Sequence, residues 1–226
     1  ANSNFTKDLG IKIGIPKNKI HIIHPGCDDP MQIEKEFQIE AERILKDSFP
    51  KIITVARLDR RKNHQNILMC IRNLKEIYPQ IKYVCIGDGE ERENILKLSK
   101  ELKIENEVIF FYKIGQNLKN ALIKNSNLFL MPSISFKSSV EGFGISFIEA
   151  ATYGVGSIGG KDGGANDAID NGTTGLICDG ESISSIYESV IKFFENENYK
   201  KYGNNALNFS INFKWNKIIK KYLALI

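Results

Sequence analysis

KIITVARLDRRKNHQNILMCIRNLKEIYPQIKYVCIG, residues 51–87, decides the fold. Two short runs rich in β-branched residues, KIITVA (51–56) and IKYVCIG (81–87), enclose a helical pattern over 63–77. Strand, helix, strand at this spacing predicts a parallel pair joined by a crossover helix. The alternation continues outward. A helix is predicted at 90–102, a strand EVIFFY at 107–112, a short helix at 117–124 and a strand NLFLMP at 127–132. Next come a helix at 144–153, a strand VGSI at 155–158, a helical turn at 166–169, a strand GLIC at 175–178 and two or three closing helices. Six strands, each followed by a helix or tight turn, make an α/β fold. It is a doubly wound, mostly parallel six-stranded Rossmann-like sheet with helices on both faces. The first 50 residues differ: a helical start, a strand KIHIIH (19–24), a turn PGCDDP and a charged amphipathic helix at 33–47.

Composition narrows the function classes. The chain has 226 residues, 42% hydrophobic and 26% charged, which suits a folded globular protein rather than disorder. Its net charge of +4 is spread along the chain. That suits an anionic ligand, whereas nucleic-acid binders carry a denser basic stripe than the Lys217, Lys220, Lys221 cluster. The four cysteines are far apart and form no CxxC pair, so neither a zinc site nor a disulfide framework is suggested, and a reducing compartment is the default. His21 and His24 stand three apart on the expected strand, on opposite faces, which argues against shared metal ligation. No stretch approaches the roughly 18 apolar residues of a membrane span.

Open α/β sheets bind ligands beyond the carboxyl ends of their strands, so the loops there carry the chemistry. The first, VARLDRRKNHQNIL (55–68), ends a strand at Arg57 and places Lys62 before a helix. Two cations beside a helix N-terminus would clamp a diphosphate; the competing reading is a solvated basic turn in which Arg60 and Arg61 only keep it soluble. The second, SSVEGFGISFIEAATYG (138–154), holds Glu141 and Glu149 with seven residues between them. Gly142 and Gly144 open a nearly all-apolar helix, where an ionised Glu149 needs compensating partners unless it faces solvent at the helix edge. The third, GGKDGGANDAIDNGTTGLI (159–177), is dense in glycine but matches neither GxGxxG nor GxxxxGK, and IGDGEE (86–91) also falls short of a dinucleotide fingerprint.

Taken in order, VARLDRRKN, IGDGEE, VIFFYKIG, NLFLMPS, EGFG with IEA, GGANDAIDNGTTGLI and FKWNKIIKKYL resemble the C-terminal, donor-binding domain of family 4 glycosyltransferases. This is the retaining group, also called glycosyl transferases group 1, with the GT-B fold of two such domains. The resemblance covers residues 20–226. It implies that Arg57 and Lys62 neutralise the diphosphate of a nucleotide-sugar donor and that Glu149 accepts hydrogen bonds from the ribose hydroxyls. Glu141 would touch hydroxyls of the transferred sugar, with backbone amides at Gly142, Phe143, Gly144 and Ile145 lining sugar and phosphates. Tyr112, Lys113 and Ile114 would contact the nucleobase. Arg57, Lys62 and Glu141 are thus the expected catalytic residues. No cofactor and no metal is expected, in keeping with the lack of a DxD-type motif in the matching loops. Two departures stand out: Asn63 where the family often has Gly, and Val155, Gly156, Ser157 in place of a Gly-x-Pro-Val run.

The resemblance further implies that residues 1–20 are a lead-in left from an absent N-terminal acceptor domain and 21–226 the nucleotide-sugar-binding domain. The acceptor would be a glycan or lipid-linked molecule held by that domain, as in polysaccharide biosynthesis. The fragment would be inactive alone, and the whole enzyme cytoplasmic, with peripheral association at the inner membrane face as a further expectation. Trp215, Ile218, Ile219 and Leu223 would lose part of their cover if the last helix crosses to the other domain, and keep it if the helix packs on its own sheet. A non-catalytic sugar-nucleotide-binding or regulatory module is the alternative function. An NAD-type oxidoreductase lacks its fingerprint.

Overall fold

In the computed structural model, residues 1–225 are described. The strands are β1 (Lys51–Val55), β2 (Lys82–Ile86), β3 (Val108–Phe111), β4 (Leu128–Met131), β5 (Ser157–Gly160) and β6 (Gly175–Cys178). They form one sheet in the order β3-β2-β1-β4-β5-β6, and every pairing is parallel. Helices α1 (Asn4–Lys12) and α2 (Lys35–Ile44) precede the sheet. Crossovers carry α3 (His64–Leu74), α4 (Arg92–Glu101), α5 (Gln116–Lys124), α6 (Ile145–Thr152) and α7 (Ala165–Ala168). Helices α8 (Ile183–Phe194), α9 (Asn198–Ser210) and α10 (Trp215–Leu223) close the chain.

Strand periodicity splits the core in two. Ile52 of β1 and Leu128 and Leu130 of β4 point to one face, against Leu68 and Ile71 of α3 and Phe193 of α8. Ile53, Phe129 and Met131 point to the other, against Leu122 of α5 and Phe147 and Ile148 of α6. Both faces are therefore covered, as an all-parallel sheet requires. Burying each such side chain is worth about 1.5–3 kcal/mol.

Three expectations change. Residues 19–24 are not a strand: the Ile23 amide bonds the Ala1 carbonyl at 2.9 Å, and the Ala1 ammonium the His21 carbonyl at 2.7 Å. Those groups are satisfied by the chain's own start rather than by a sheet edge. β5 runs two residues later than expected, at Ser157–Gly160, because Ser157 is in register with Gly175. On α10, Ile218 is buried, but Trp215, Ile219 and Leu223 are 46%, 50% and 63% exposed, so much of that apolar face lacks cover.

Strand order places the site. β1 pairs with both β2 and β4, and the chain's direction of travel across the sheet reverses between β1 and β4. The loops leaving the carboxyl ends of these two strands therefore flank the crevice where doubly wound folds bind ligands.

Candidate functional site

From β1 the chain passes Arg57 and enters a single 3₁₀ turn, Arg60–Lys62, capped by the Asp59 side chain, which accepts the Lys62 amide at 3.1 Å. Such a turn has three residues per revolution, so its three cations diverge. Lys62 points inward, its side chain 11% exposed, and its Nζ pairs with Glu141 Oε2 from the β4–α6 loop. Arg61 joins them: its Nη1 donates to the same Glu141 oxygen at 2.9 Å and its Nη2 lies 3.6 Å from Asp59. Arg57 does not. Its side chain is 74% exposed and lies 3.8 Å from Glu90. The expected convergence of Arg57 with Lys62 is thus absent here, and Arg61, which only the competing reading of a solvated turn mentioned, takes the inward place.

Burial raises the pKa of Glu141, but the Lys62 and Arg61 charges outweigh it and hold the carboxyl below its ordinary value. Burial pulls Lys62 the other way from its partner, lowering the ammonium's pKa against the pull of Glu141. An ion pair bridges the two switch-point loops.

Lys62 keeps its direction because Asn63 follows it with φ 63°, ψ 35°, a left-handed conformation that Gly adopts freely and Asn tolerates. The Asn63 amide adds what Gly cannot: its Nδ2 donates to the Pro132 carbonyl at 3.0 Å and the Gly180 carbonyl at 2.7 Å. The departure from the family pattern therefore ties the β1 loop to the loops after β4 and β6.

The Glu141–Gly144 segment is shaped by close backbone packing. A Cβ on Gly164 would fall 2.1 Å from the Gly142 carbonyl oxygen, so the glycine-dense third loop serves to let the two backbones meet. Gly144 stands at the N-cap of α6 with φ 86°, and no side chain caps that helix. The first-turn amides of a helix without a side-chain cap are available to an anion or a hydroxyl. Phe143 is buried under the His24 ring, 5.4 Å between centroids, and His24 Nε2 lies 2.8 Å from Asp167, which also accepts from the Asn4 amide at 2.9 Å. The lead-in segment is thereby fastened over the loop.

Glu149, one turn into α6, is half-buried rather than enclosed. It lines a cleft of about 190 Å³ with Ile145, Gln116, Lys119 and Asn120 of α5, the Gly26–Met31 turn, and Trp215. Burial, reinforced by the Glu149 and Asp28 carboxylates, pushes the Cys27 thiol there up to about 11. Tyr112, Lys113 and Ile114 precede Gln116 in the chain but are not among the residues that line this cleft. The Arg92 guanidinium stacks 3.6 Å over the Tyr112 ring, Ile114 joins the core behind α5, and Lys113 is exposed. Sequence reasoning missed Arg61, Gln116, Lys119, Asn120 and the Gly26–Met31 turn. Only Asp59, three residues before Lys62 at an N-cap position, signalled that the turn was built rather than solvated. Among the described residues, no group of three or more His, Cys, Asp or Glu is placed to hold a metal ion, and no helix is long and apolar enough to cross a membrane.

An all-parallel doubly wound sheet, with the Lys62, Arg61 and Glu141 cluster and the uncapped start of α6 at its switch point, defines the class as a Rossmann-like α/β domain. The particular family follows from sequence: residues 35–209 match the family Glycosyl transferases group 1, and the chain belongs to it. It is 29% identical over 230 residues to an uncharacterised glycosyltransferase of Methanocaldococcus jannaschii, covering 98% of this chain and 56% of the relative. It is 25% identical over 199 residues to a GDP-mannose-dependent α-(1-6)-phosphatidylinositol monomannoside mannosyltransferase of Mycobacterium tuberculosis, covering 83% and 50%. Among solved structures, Anabaena HepE in complex with UDP-glucose superposes with a TM-score of 0.85 at 19% identity, over 100% of this chain and 63% of that one. The fold is thus that of one half of a GT-B glycosyltransferase. The chain spans about half the length of these curated relatives.

Proposed function

We propose that this chain binds the nucleoside-diphosphate sugar for a retaining, metal-independent glycosyltransferase of the hexosyl-transferring type. The acceptor, a glycan or lipid-linked molecule, is held by a further domain preceding residues 21–226. The observation that carries this is the meeting of Lys62, Arg61 and Glu141 across the β1–β4 switch point, beside the uncapped start of α6.

Each group has a role on this reading. The Lys62 ammonium, with three donors, takes the diphosphate, helped by the amides of Gly142, Phe143, Gly144 and Ile145. Arg57 is free to join, because an exposed pair such as that with Glu90 is worth at most about 1 kcal/mol and is easily exchanged. Glu141 meets hydroxyls of the transferred sugar. Glu149 accepts from the ribose at the cleft, and the base lies towards the β3–α5 connection after Tyr112, Lys113 and Ile114. Breaking the bond from sugar to diphosphate builds negative charge on the leaving group, and preorganised cations lower that barrier without a metal. Transfer then proceeds on the face the leaving group vacates, which retains anomeric configuration. The whole enzyme acts at the cytoplasmic side, peripherally on the membrane where its acceptor is lipid-linked.

Calorimetric titration with UDP, GDP, ADP and NAD tests this. Binding of one nucleoside diphosphate, with NAD weaker, is expected. Preference for NAD, or no binding by any of them, would refute it.

A further inference from the structure

Glu141 is shared by two cations, and the sharing has a chemical purpose. Lys62 Nζ and Arg61 Nη1 both meet one oxygen, Oε2, of a carboxylate whose side chain is 11% exposed. Two further groups fix Arg61: Asp59 at 3.6 Å, and the Arg61 carbonyl, which accepts the Ile134 amide at 2.9 Å. Among the described residues, Lys62 and Arg61 are the charged groups within ion-pair distance of this carboxylate; the Gly163–Gly164 segment packed on it offers backbone alone, the Gly164 amide donating to the Glu141 carbonyl at 2.7 Å. Were Lys62 its sole partner, drawing the ammonium towards a phosphate would strand a buried carboxylate without a counter-charge, which opposes binding.

We infer that Arg61 is a positioning residue that keeps Glu141 charge-compensated and in place while Lys62 hands its charge to the donor diphosphate. This rests on the proposed function, since it needs a diphosphate at Lys62. Arg61 itself stays on Glu141 and Asp59 and does not contact the phosphates.

The consequence is a proton. With Arg61→Gln, the approach of a diphosphate to Lys62 leaves Glu141 unpaired, and the carboxylate takes up a proton from solvent. Titrations with UDP and GDP, at a pH about 2 units above the terminal phosphate pKa of about 6 and in buffers of different ionisation enthalpy, read this directly. Wild type is expected to bind without proton uptake. Arg61→Gln is expected to bind about tenfold or more weakly, with proton uptake and with affinity falling as pH rises. Arg61→Lys should restore both affinity and proton neutrality. Arg61→Gln combined with Glu141→Gln, which has no carboxylate to strand, should recover most of the affinity.

Unchanged binding by Arg61→Gln, or weakened binding without proton uptake that Glu141→Gln fails to rescue, overturns the inference; the latter would make Arg61 a direct phosphate ligand. Should Arg61→Gln not fold, Arg61→Met is read in the same titrations: proton uptake on binding supports the inference, and weakened binding without it overturns the inference. Failure of wild type to bind any of the probes refutes the proposed function instead.

Discussion

His64 sits directly beneath the site, its Nε2–H donating to the Arg57 carbonyl at 3.1 Å, with the Cys85 thiol 3.6 Å from Nδ1. Burial pushes its pKa down from 6.5 to about 4. Above pH about 6.5 neither folded nor unfolded chain protonates this ring, and its full contribution to stability is present. Below that the unfolded chain gains a proton that the fold refuses, so stability falls until about pH 4, by about 3 kcal/mol in all. Denaturant unfolding at stepped pH should show this slope, and His64→Gln should flatten it. The two carboxylates should separate by ligand: Glu149→Ala is expected to weaken binding of the nucleoside diphosphate by about 1 kcal/mol or more. Glu141→Gln should tell mainly once the sugar is attached. Calorimetry with diphosphate and sugar nucleotide side by side checks both, and equal losses at Glu141 on the two ligands would contradict its assignment. Residue types and spacing mark Lys62, Glu141 and Glu149 as candidates, and the fold pairs Lys62 with Glu141 while Glu149 lines a separate cleft. Types and spacing could not reveal that Arg57 points outward and Arg61 inward, because a 3₁₀ turn sends neighbouring side chains in different directions and only the fold says which direction is inside.

Joints between elements hold the charge cluster. Asn63 combines a left-handed backbone with two side-chain bonds to the β4 and β6 loops. Asn63→Gly keeps the backbone and loses the bonds, while Asn63→Ala loses both and should cost more, about 2–3 kcal/mol by thermal or chemical unfolding. A greater loss in Gly than in Ala would show that backbone conformation is not what fixes this turn. The helices and strands of the sheet were legible because two different periods, near 3.6 and 2, alternate along the chain with each hydrophobic face turned to one of two cores. KIHIIH carries the same strand-like composition, yet it is no strand: the Ile23 amide and the His21 carbonyl bond Ala1, and the Lys19 and Ile20 amides bond Pro16 and Lys17. Composition specifies what a segment prefers, and partner availability decides.

For the molecule as a whole, the Lys62, Arg61 and Glu141 cluster is built within this chain, whereas α10 shows an apolar face with Trp215, Ile219, Tyr222 and Leu223 46–63% exposed. With relatives about twice as long, transfer to an acceptor is expected to require the remaining length, and the chain by itself should bind donor without releasing nucleoside diphosphate at a catalytic rate. A coupled assay for released diphosphate checks this; turnover by the chain alone would place the catalytic machinery entirely within it. The central claim is that Lys62 at the β1–β4 switch point takes the diphosphate. Its most direct test is calorimetric titration of the best-binding nucleoside diphosphate into wild type, Lys62→Gln and Lys200→Gln, the last removing an exposed lysine paired with Glu197 on α9. The affinity should fall at least about tenfold, 1.5–3 kcal/mol, for Lys62→Gln and stay unchanged for Lys200→Gln. Equal affinity in wild type and Lys62→Gln would contradict it.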